Sequence, residues 1–116
     1  MNFGDYQTLA RRTQNRELTD RDRLMHALHG LASEVGEIHS IYQKSYQGHE
    51  IKIDDVIDET GDLLWFASEL CDVLRVPMDD VARRNIEKLR ARYPDGFDEE
   101  RSLHRDSEEK GESGCW

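Results

Sequence analysis

Apolar residues along this chain recur at spacings of three and four, which is the period of an amphipathic α-helix. No segment shows the sustained alternation of a strand, and the two prolines, Pro77 and Pro94, fall near expected helix boundaries. The pattern therefore predicts an all-α fold. The predicted helices cover four segments, at about residues 2–14, 21–46, 54–74 and 78–93.

The second predicted helix carries the longest apolar stripe, and such a stripe is typical of a helix in a bundle. Its members are Leu24, Leu28, Leu31, Val35, Ile38 and Tyr42. Asp20 or Asp22 is predicted to cap the start of this helix, and Asp54 to cap the third, because aspartate accepts hydrogen bonds from free N–H groups. The short connections favour antiparallel neighbours in a four-helix bundle.

The third predicted helix is apolar on two adjoining faces. One face runs through Val56, Leu63, Ala67, Leu70 and Leu74, and the other through Ile57, Leu64 and Cys71. Because one face is enough to pack against the core, the surplus indicates a contact between subunits as well.

The length of 116 residues fits one modest domain but not two domains that each bury a core. We predict that the domain covers residues 1–97. The charged, glycine-containing segment 98–116 is predicted to be a loosely ordered tail. Cys71 lies in an apolar helical stretch and Cys115 in the polar tail, so the two cysteines do not suggest a disulfide framework.

The charge of the chain excludes some classes of partner. It carries 25 acidic and 16 basic residues, which makes unassisted binding to nucleic acid or to an anionic membrane unfavourable. No apolar run reaches the roughly 18 residues that a membrane helix needs. We therefore expect a cytoplasmic protein whose partner is a small ligand, with the ligand's negative charge bridged by a cation.

Two pairs of acidic residues lie beside the apolar stripes. Glu34 and Glu37 are three apart on the second predicted helix, and Glu59 and Asp62 are three apart on the third. Each pair therefore projects from one side of its helix, and two such helices side by side would form a cage of four carboxylates. Such pairs are also common on solvated helix faces, but a carboxylate that borders a core without a partner is costly.

The donor atoms in this cage suit a particular class of cation. Hard divalent ions prefer oxygen ligands, and Mg²⁺ typically bridges a few carboxylates to substrate phosphates. A di-iron bundle would need Glu-x-x-His pairs, and neither Glu34 nor Glu59 is followed by histidine three positions later. A calcium-binding loop would need a glycine and a closing glutamate at positions where this segment lacks them. The pattern thus favours Mg²⁺ and phosphate chemistry.

The fourth predicted helix is rich in cations. Asn85, Lys88 and Arg92 are spaced three and four apart, so an amide, an ammonium group and a guanidinium group share one face. This face could bind the phosphates of a substrate. The alternative interpretation is a solvated surface helix in which Glu87 balances its basic neighbours.

Three motifs occur in order along the chain: GLASEVGE at residues 30–37, DETGD at 58–62 and NIEKLRARYP at 85–94. This arrangement resembles the MazG-like all-α NTP pyrophosphohydrolases over residues 24–105. The signature of that family is Glu-x-x-Glu followed after roughly twenty residues by Glu-x-x-Asp. Members often carry a further acidic residue directly before the first glutamate, where this chain has Ser33.

The resemblance implies a helical bundle that assembles as a homodimer or a homotetramer. It implies Mg²⁺, with Mn²⁺ as a substitute, and hydrolysis of a nucleoside triphosphate to a monophosphate and pyrophosphate. The residues that match the family's metal ligands are Glu34, Glu37, Glu59 and Asp62. Lys88 and Arg92 match its phosphate-binding pair, and Asn85 belongs to the same motif.

The corresponding mechanistic hypothesis is attack of a metal-activated water on the α-phosphorus, with Glu34 or Glu37 as the base. Trp65 could stack on a nucleobase near the metal, although a tryptophan at helical spacing is more often a core residue. His26, together with His29 and His39, is interpreted as a surface or packing residue.

A different class of function remains open from the sequence. The chain could be a non-catalytic interaction or regulatory module whose acidic face binds a basic partner. Such a module would not need both acidic pairs beside apolar stripes, and it would show no large change in melting temperature with Mg²⁺.

Overall fold

The computed structural model describes the backbone of residues 1–112 and the side chains of residues 1–105. Within these residues the chain is all-α, as predicted, and contains no named β-strand. A short 3₁₀ turn, Arg11–Thr13, extends the first helix. The helices are α1 (Phe3–Ala10), α2 (Asp20–Ser45), α3 (Ile53–Val73), α4 (Met78–Arg92) and α5 (Glu99–Glu112). None of the described helices is both long and apolar enough to cross a membrane.

The caps of α2 and α3 differ from those predicted. Thr19 caps α2, since its side-chain oxygen accepts a hydrogen bond of 3.1 Å from the N–H of Asp22. Asp20 and Asp22 lie within the first turn instead, where a carboxylate interacts favourably with the helix dipole. Lys52 precedes α3 and makes no side-chain cap, and Asp54 again lies in the first turn. The predictions were wrong by one to three positions because aspartate suits both the cap and the first turn.

The segment after Phe97 is helical where the sequence suggested a loosely ordered tail. Asp98 accepts a hydrogen bond of 3.1 Å from the N–H of Arg101, and Glu99 and Glu100 lie in the first turn of α5. Both features stabilise the start of a helix. Cys115 lies outside the described residues.

The chain forms two compact units, residues 1–79 and the part from Asp80 onward. In the first unit α2 and α3 pack along each other, and α1 packs on α3. The predicted domain over residues 1–97 and the predicted four-helix bundle both stay predictions.

Few apolar residues in the described part of the chain are buried. They are Ala10, Ala27, Cys71 and Met78. Several larger residues on the predicted stripes remain open to solvent, among them Leu28 at 42%, Val35 at 44% and Ile57 at 59% exposure. Of the second apolar face predicted on α3, Ile57 is exposed, Leu64 is partly exposed and Cys71 is buried, so that face is open to solvent only in part.

A polar cluster around Asp72 joins α1 to the end of α3. The carboxylate accepts hydrogen bonds from Gln7 at 2.8 Å, from Arg11 at 2.7 Å and from Gln14 at 2.7 Å. Burial alone would raise the pKa of Asp72, but these three hydrogen bonds and the charge of Arg11 outweigh it and hold the pKa below its usual range. The ionised carboxylate therefore stabilises the folded state at neutral pH and loses this contribution as the pH falls through the lowered pKa.

α2 and α3 are in tight contact at Gly30. This glycine is buried, and a Cβ atom at its position would overlap the ring of Phe66. By contrast, Gly36 on α2 and Gly61 on α3 have no atom within 4 Å of the equivalent position. Gly30 therefore allows the separation of the two helices that the structure shows.

Substituting these glycines should change stability in opposite directions. Gly30→Ala should lower the free energy of unfolding by about 1–3 kcal/mol, because the added methyl group must push Phe66 or the helices apart. Gly36→Ala should raise it by about 0.5–1 kcal/mol, because alanine is the better helix former and space is open there. Urea denaturation followed by circular dichroism measures both. Equal stabilisation by the two substitutions would show that the contact at Gly30 is not tight.

Candidate metal centre

Three of the four predicted metal ligands converge between α2 and α3. Glu34 on α2 and Glu59 and Asp62 on α3 each offer one carboxylate oxygen, and these oxygens lie within 4.8 Å of one another. A divalent cation bound to oxygen at 2.0–2.6 Å needs oxygens that are about 3–5 Å apart. The three side chains can therefore hold one hard cation with little rearrangement.

Glu34 has an unsatisfied oxygen in this cluster. Its Oε2 atom is buried and has no hydrogen-bond partner among the described residues. Leaving a buried acceptor unpaired costs roughly 1–3 kcal/mol, and more when the group is charged. A cation at the centre of the cluster would supply the missing partner, so the donor atoms present fit such an ion.

The electrostatics of the cluster favour the same conclusion. A hydrogen bond with the carboxyl group of Glu34, partial burial, and the charges of Glu34, Asp62 and Glu37 together raise the pKa of Glu59 to about 7. Carboxylates this close cannot all ionise without a compensating positive charge. No lysine or arginine lies within α3 itself to provide that charge.

Glu37 is the predicted ligand that stands apart from the three-residue group. It is exposed, one turn beyond Glu34 on α2. Its negative charge still contributes to the raised pKa of Glu59. Its assignment as a fourth ligand stays a prediction.

An open cleft of about 400 Å³ adjoins the carboxylates. Thr13, Glu34, Asp62, Trp65 and Phe66 line it. The indole N–H of Trp65 donates a hydrogen bond of 2.8 Å to the Thr13 hydroxyl, and its ring meets Phe66 edge to face at a centroid distance of 5.0 Å. These contacts hold a partly exposed aromatic ring beside the candidate metal ligands. The position agrees with both interpretations of Trp65, as a packing residue and as a surface for a nucleobase.

Next to these aromatic rings is an ionisable pair that the sequence did not predict, in which Glu69 is buried and the side chain of His26 is 50% exposed. His26 Nδ1 lies 2.5 Å from Oε1 of Glu69, whose residue is only 1% exposed. The His26 ring also contacts Phe66 at 5.5 Å and Trp65 at 6.3 Å between centroids. His26 is therefore a partly exposed packing residue, which agrees with its interpretation as a surface or packing residue. Its bond to Glu69 joins positions 43 apart along the chain. The feature of the sequence that could have indicated this pair is the position of Glu69 among the apolar residues of α3.

The predicted phosphate-binding residues belong to α4 in the second unit. Asn85 and Lys88 line one cleft of about 470 Å³ together with Val81 and Arg84, so these two do share a face. Arg92 is the last residue of α4, and its carbonyl oxygen accepts a hydrogen bond of 3.3 Å from Arg101. Their roles in binding phosphate stay predictions.

Comparisons with known proteins agree with these observations. The family model of the MazG nucleotide pyrophosphohydrolase domain matches residues 24–97, which contain both acidic pairs. The Gene 37 protein of Mycobacterium phage L5 is 33% identical over 72 residues, which cover 58% of this chain and 63% of that protein. The chain thus spans less than two thirds of the length of this relative.

No solved structure matches the chain. The family model nevertheless covers more than half of the sequence, and it includes the carboxylates that converge between α2 and α3. The family resemblance found in the sequence is therefore confirmed, and the chain belongs to the MazG nucleotide pyrophosphohydrolase domain family.

Proposed function

We propose that this protein is a Mg²⁺-dependent nucleoside triphosphate pyrophosphohydrolase that releases a nucleoside monophosphate and pyrophosphate. The observation that carries the proposal is the convergence of the Glu34, Glu59 and Asp62 carboxylates in a chain of this family. A purely structural acidic surface would not need a buried carboxylate oxygen without a partner.

The proposed metal ligands are Glu34, Glu59 and Asp62, with Glu37 as the fourth. An all-oxygen site of this kind suits Mg²⁺, and Mn²⁺ is the expected substitute. When bound, the ion would lower the pKa of a water molecule and neutralise charge on the substrate phosphates.

The remaining chemistry is assigned to residues of the chain. A water oxygen forms a bond to the α-phosphorus, while the bond from that phosphorus to the bridging oxygen breaks and pyrophosphate leaves with the electron pair. Glu34 or Glu37, whichever has a carboxylate oxygen left free by the metal, accepts the proton of the attacking water as general base. Lys88 and Arg92, with Asn85 beside them, bind the phosphates and stabilise the charge that develops on the leaving group.

Trp65 is the proposed surface for the nucleobase. It lines the same cleft as Glu34 and Asp62, and its hydrogen bond to Thr13 fixes the indole in place. A flat aromatic face of this kind favours stacking of any base, so it supports binding without selecting one nucleotide.

A homodimer or homotetramer is the proposed assembly. The exposed apolar residues of α2 and α3, such as Val35 and Ile57, support it, because burying them against a second copy would remove apolar surface from water. We propose that the protein acts in the cytoplasm on a small-molecule substrate, a nucleoside triphosphate, without nucleic acid or membrane partners.

The acidic cluster should make the stability of the metal-free protein depend on pH. The pKa of Glu59 is about 7 in the folded state and 4.5 for a free glutamate, so the folded state binds more protons between these values. The melting temperature in EDTA should therefore fall as the pH rises through this window. Glu59→Gln stays neutral and should lose much of that dependence.

The same measurement of melting temperature tests whether the acidic cluster binds Mg²⁺. At about pH 8, Mg²⁺ should raise the melting temperature of the wild type, and it should have little effect on Glu59→Gln. Glu50→Gln, which removes an exposed glutamate outside the cluster, is the matched control and should respond as the wild type does. A wild type indifferent to Mg²⁺ would argue for the interaction module.

Activity should depend on the cluster in the same way. Glu59→Gln should reduce pyrophosphate release by roughly 100-fold or more, since one electrostatic group at a reacting centre typically contributes that much. The measurement is a screen of ribo- and deoxynucleoside triphosphates with Mg²⁺ or Mn²⁺, with Glu50→Gln as control. Equal activity of Glu59→Gln and the wild type on a substrate would refute the assigned site.

Lys88→Ala should slow turnover of the substrate found in the screen by roughly 100-fold, because the proposed role of Lys88 is electrostatic. The melting temperature should stay unchanged, because Lys88 is exposed. Arg90→Ala removes a positive charge from the same helix and should keep near wild-type turnover. If both variants lose activity equally, only the overall charge of α4 matters.

A further inference from the structure

The first unit contains a second cleft, of about 640 Å³, which the proposed reaction does not use. Its wall is formed by α1 and the turn after it, by the start of α2, and by the end of α3 with the residues that follow. The charged residues that line it are Arg11, Arg16, Arg23, Arg75 and Asp72. The volume lies within the range of small-molecule sites, which is roughly 300–1,000 Å³.

The charge of this cleft is opposite to that of its surroundings. Residues 1–79 contain 6 arginines and 15 acidic residues. Four of those arginines line the cleft, and Asp72 is the single acidic residue that does so. Guanidinium groups that converge in this way repel one another, and a bound anion would offset the repulsion.

Two of the arginines are held in place by the fold. Arg11 donates to Asp72 at 2.7 Å, and Asp72 is itself occupied by hydrogen bonds from Gln7 and Gln14. Arg23 donates from Nη2 to the side-chain oxygen of Gln14 at 2.7 Å. The Nε atom of Arg23 is buried and has no partner among the described residues, so a strong donor there lacks an acceptor.

The other two arginines keep most of their hydrogen-bonding capacity. Arg75 is 83% exposed in its side chain, and it makes one long, exposed ion pair of 3.4 Å with Asp20. Arg16 is exposed and makes no hydrogen bond or ion pair within the described part of the chain. The cleft therefore combines two guanidinium groups that the fold holds in place with two exposed ones that retain donors for a ligand.

We propose that this cleft binds a small phosphate-bearing anion with at least two negative charges. The planar fork of arginine matches pairs of phosphate oxygens, and four such groups around one cleft favour multiple charge. The strongly acidic remainder of the chain disfavours a large polyanion such as nucleic acid. The ligand class is therefore a compound such as pyrophosphate or a nucleotide.

This site is separate from the candidate metal centre. On α2, Arg23 precedes Glu34 by 11 residues, which is roughly 16 Å along a helix axis. The metal centre presents only carboxylates and needs a cation to attract phosphate, whereas the arginine cleft needs none. Chelation of divalent ions therefore removes binding that depends on the metal centre, and variants of the cleft arginines distinguish the cleft from the basic face of α4. The inference does not rest on the proposed reaction.

The test is isothermal titration calorimetry of inorganic pyrophosphate into the full chain in EDTA at low salt. The wild type and Glu59→Gln should both bind about one pyrophosphate per chain. The pair Arg16→Gln with Arg75→Gln should weaken binding at least about tenfold. The matched control, Arg12→Gln with Arg21→Gln, removes the same charge from exposed arginines outside the cleft and should bind as the wild type does.

Two further variants keep the test decisive. Arg23→Lys retains the charge but lacks the Nε donor, and it should also weaken binding. Arg16→Gln alone breaks no contact in the structure, so its weaker binding cannot come from unfolding. Absence of saturable binding by the wild type in EDTA, or equal loss in both double variants, would overturn the proposal.

Discussion

The packing of α2 against α3 at Gly30 and Phe66 is the constraint on which the first unit depends. A buried glycine on one helix receives an aromatic ring from the other, and this contact fixes how far apart the two helices run. The carboxylates of Glu34 and Glu59 project from those same helices, so their separation follows from the packing. The chemistry of the candidate metal centre is thus a product of apolar contact between helices.

Two electrostatic arrangements coexist in this unit, and they are satisfied in different ways. Asp72 is buried but accepts three hydrogen bonds from the chain, so its charge is compensated and its pKa is low. Within the described residues no amide or guanidinium group donates to Glu59, and the pKa of Glu59 is raised to about 7. The hydrogen bonds to Asp72 join elements of the fold, whereas the negative charge around Glu59 is not compensated within the cluster. Of these two carboxylate arrangements, the cluster around Glu59 therefore has the character of a cation site.

The parts of the structure that could be predicted from the sequence are those that depend on local spacing. The helices and the acid pairs at i and i+3 follow from the helical period, and motif order along the chain adds the family. The cap at Thr19 and the helix after Asp98 were missed because several residues at each boundary suit more than one position. The bond from His26 to Glu69 could not be predicted, since spacing carries no information about partners 43 residues apart.

Phe66 takes part in both the packing and the cleft, and this limits how the cleft can vary. Its ring fills the space left by Gly30 and also lines the wall beside Glu34 and Asp62. A change at Phe66 that altered the shape of the cleft would also move α2 relative to α3. Thr13 and Trp65 line the same cleft but do not pack against Gly30. Members of a lineage that diverge in ligand preference would therefore do so through these two positions, while Phe66 and Gly30 change only together.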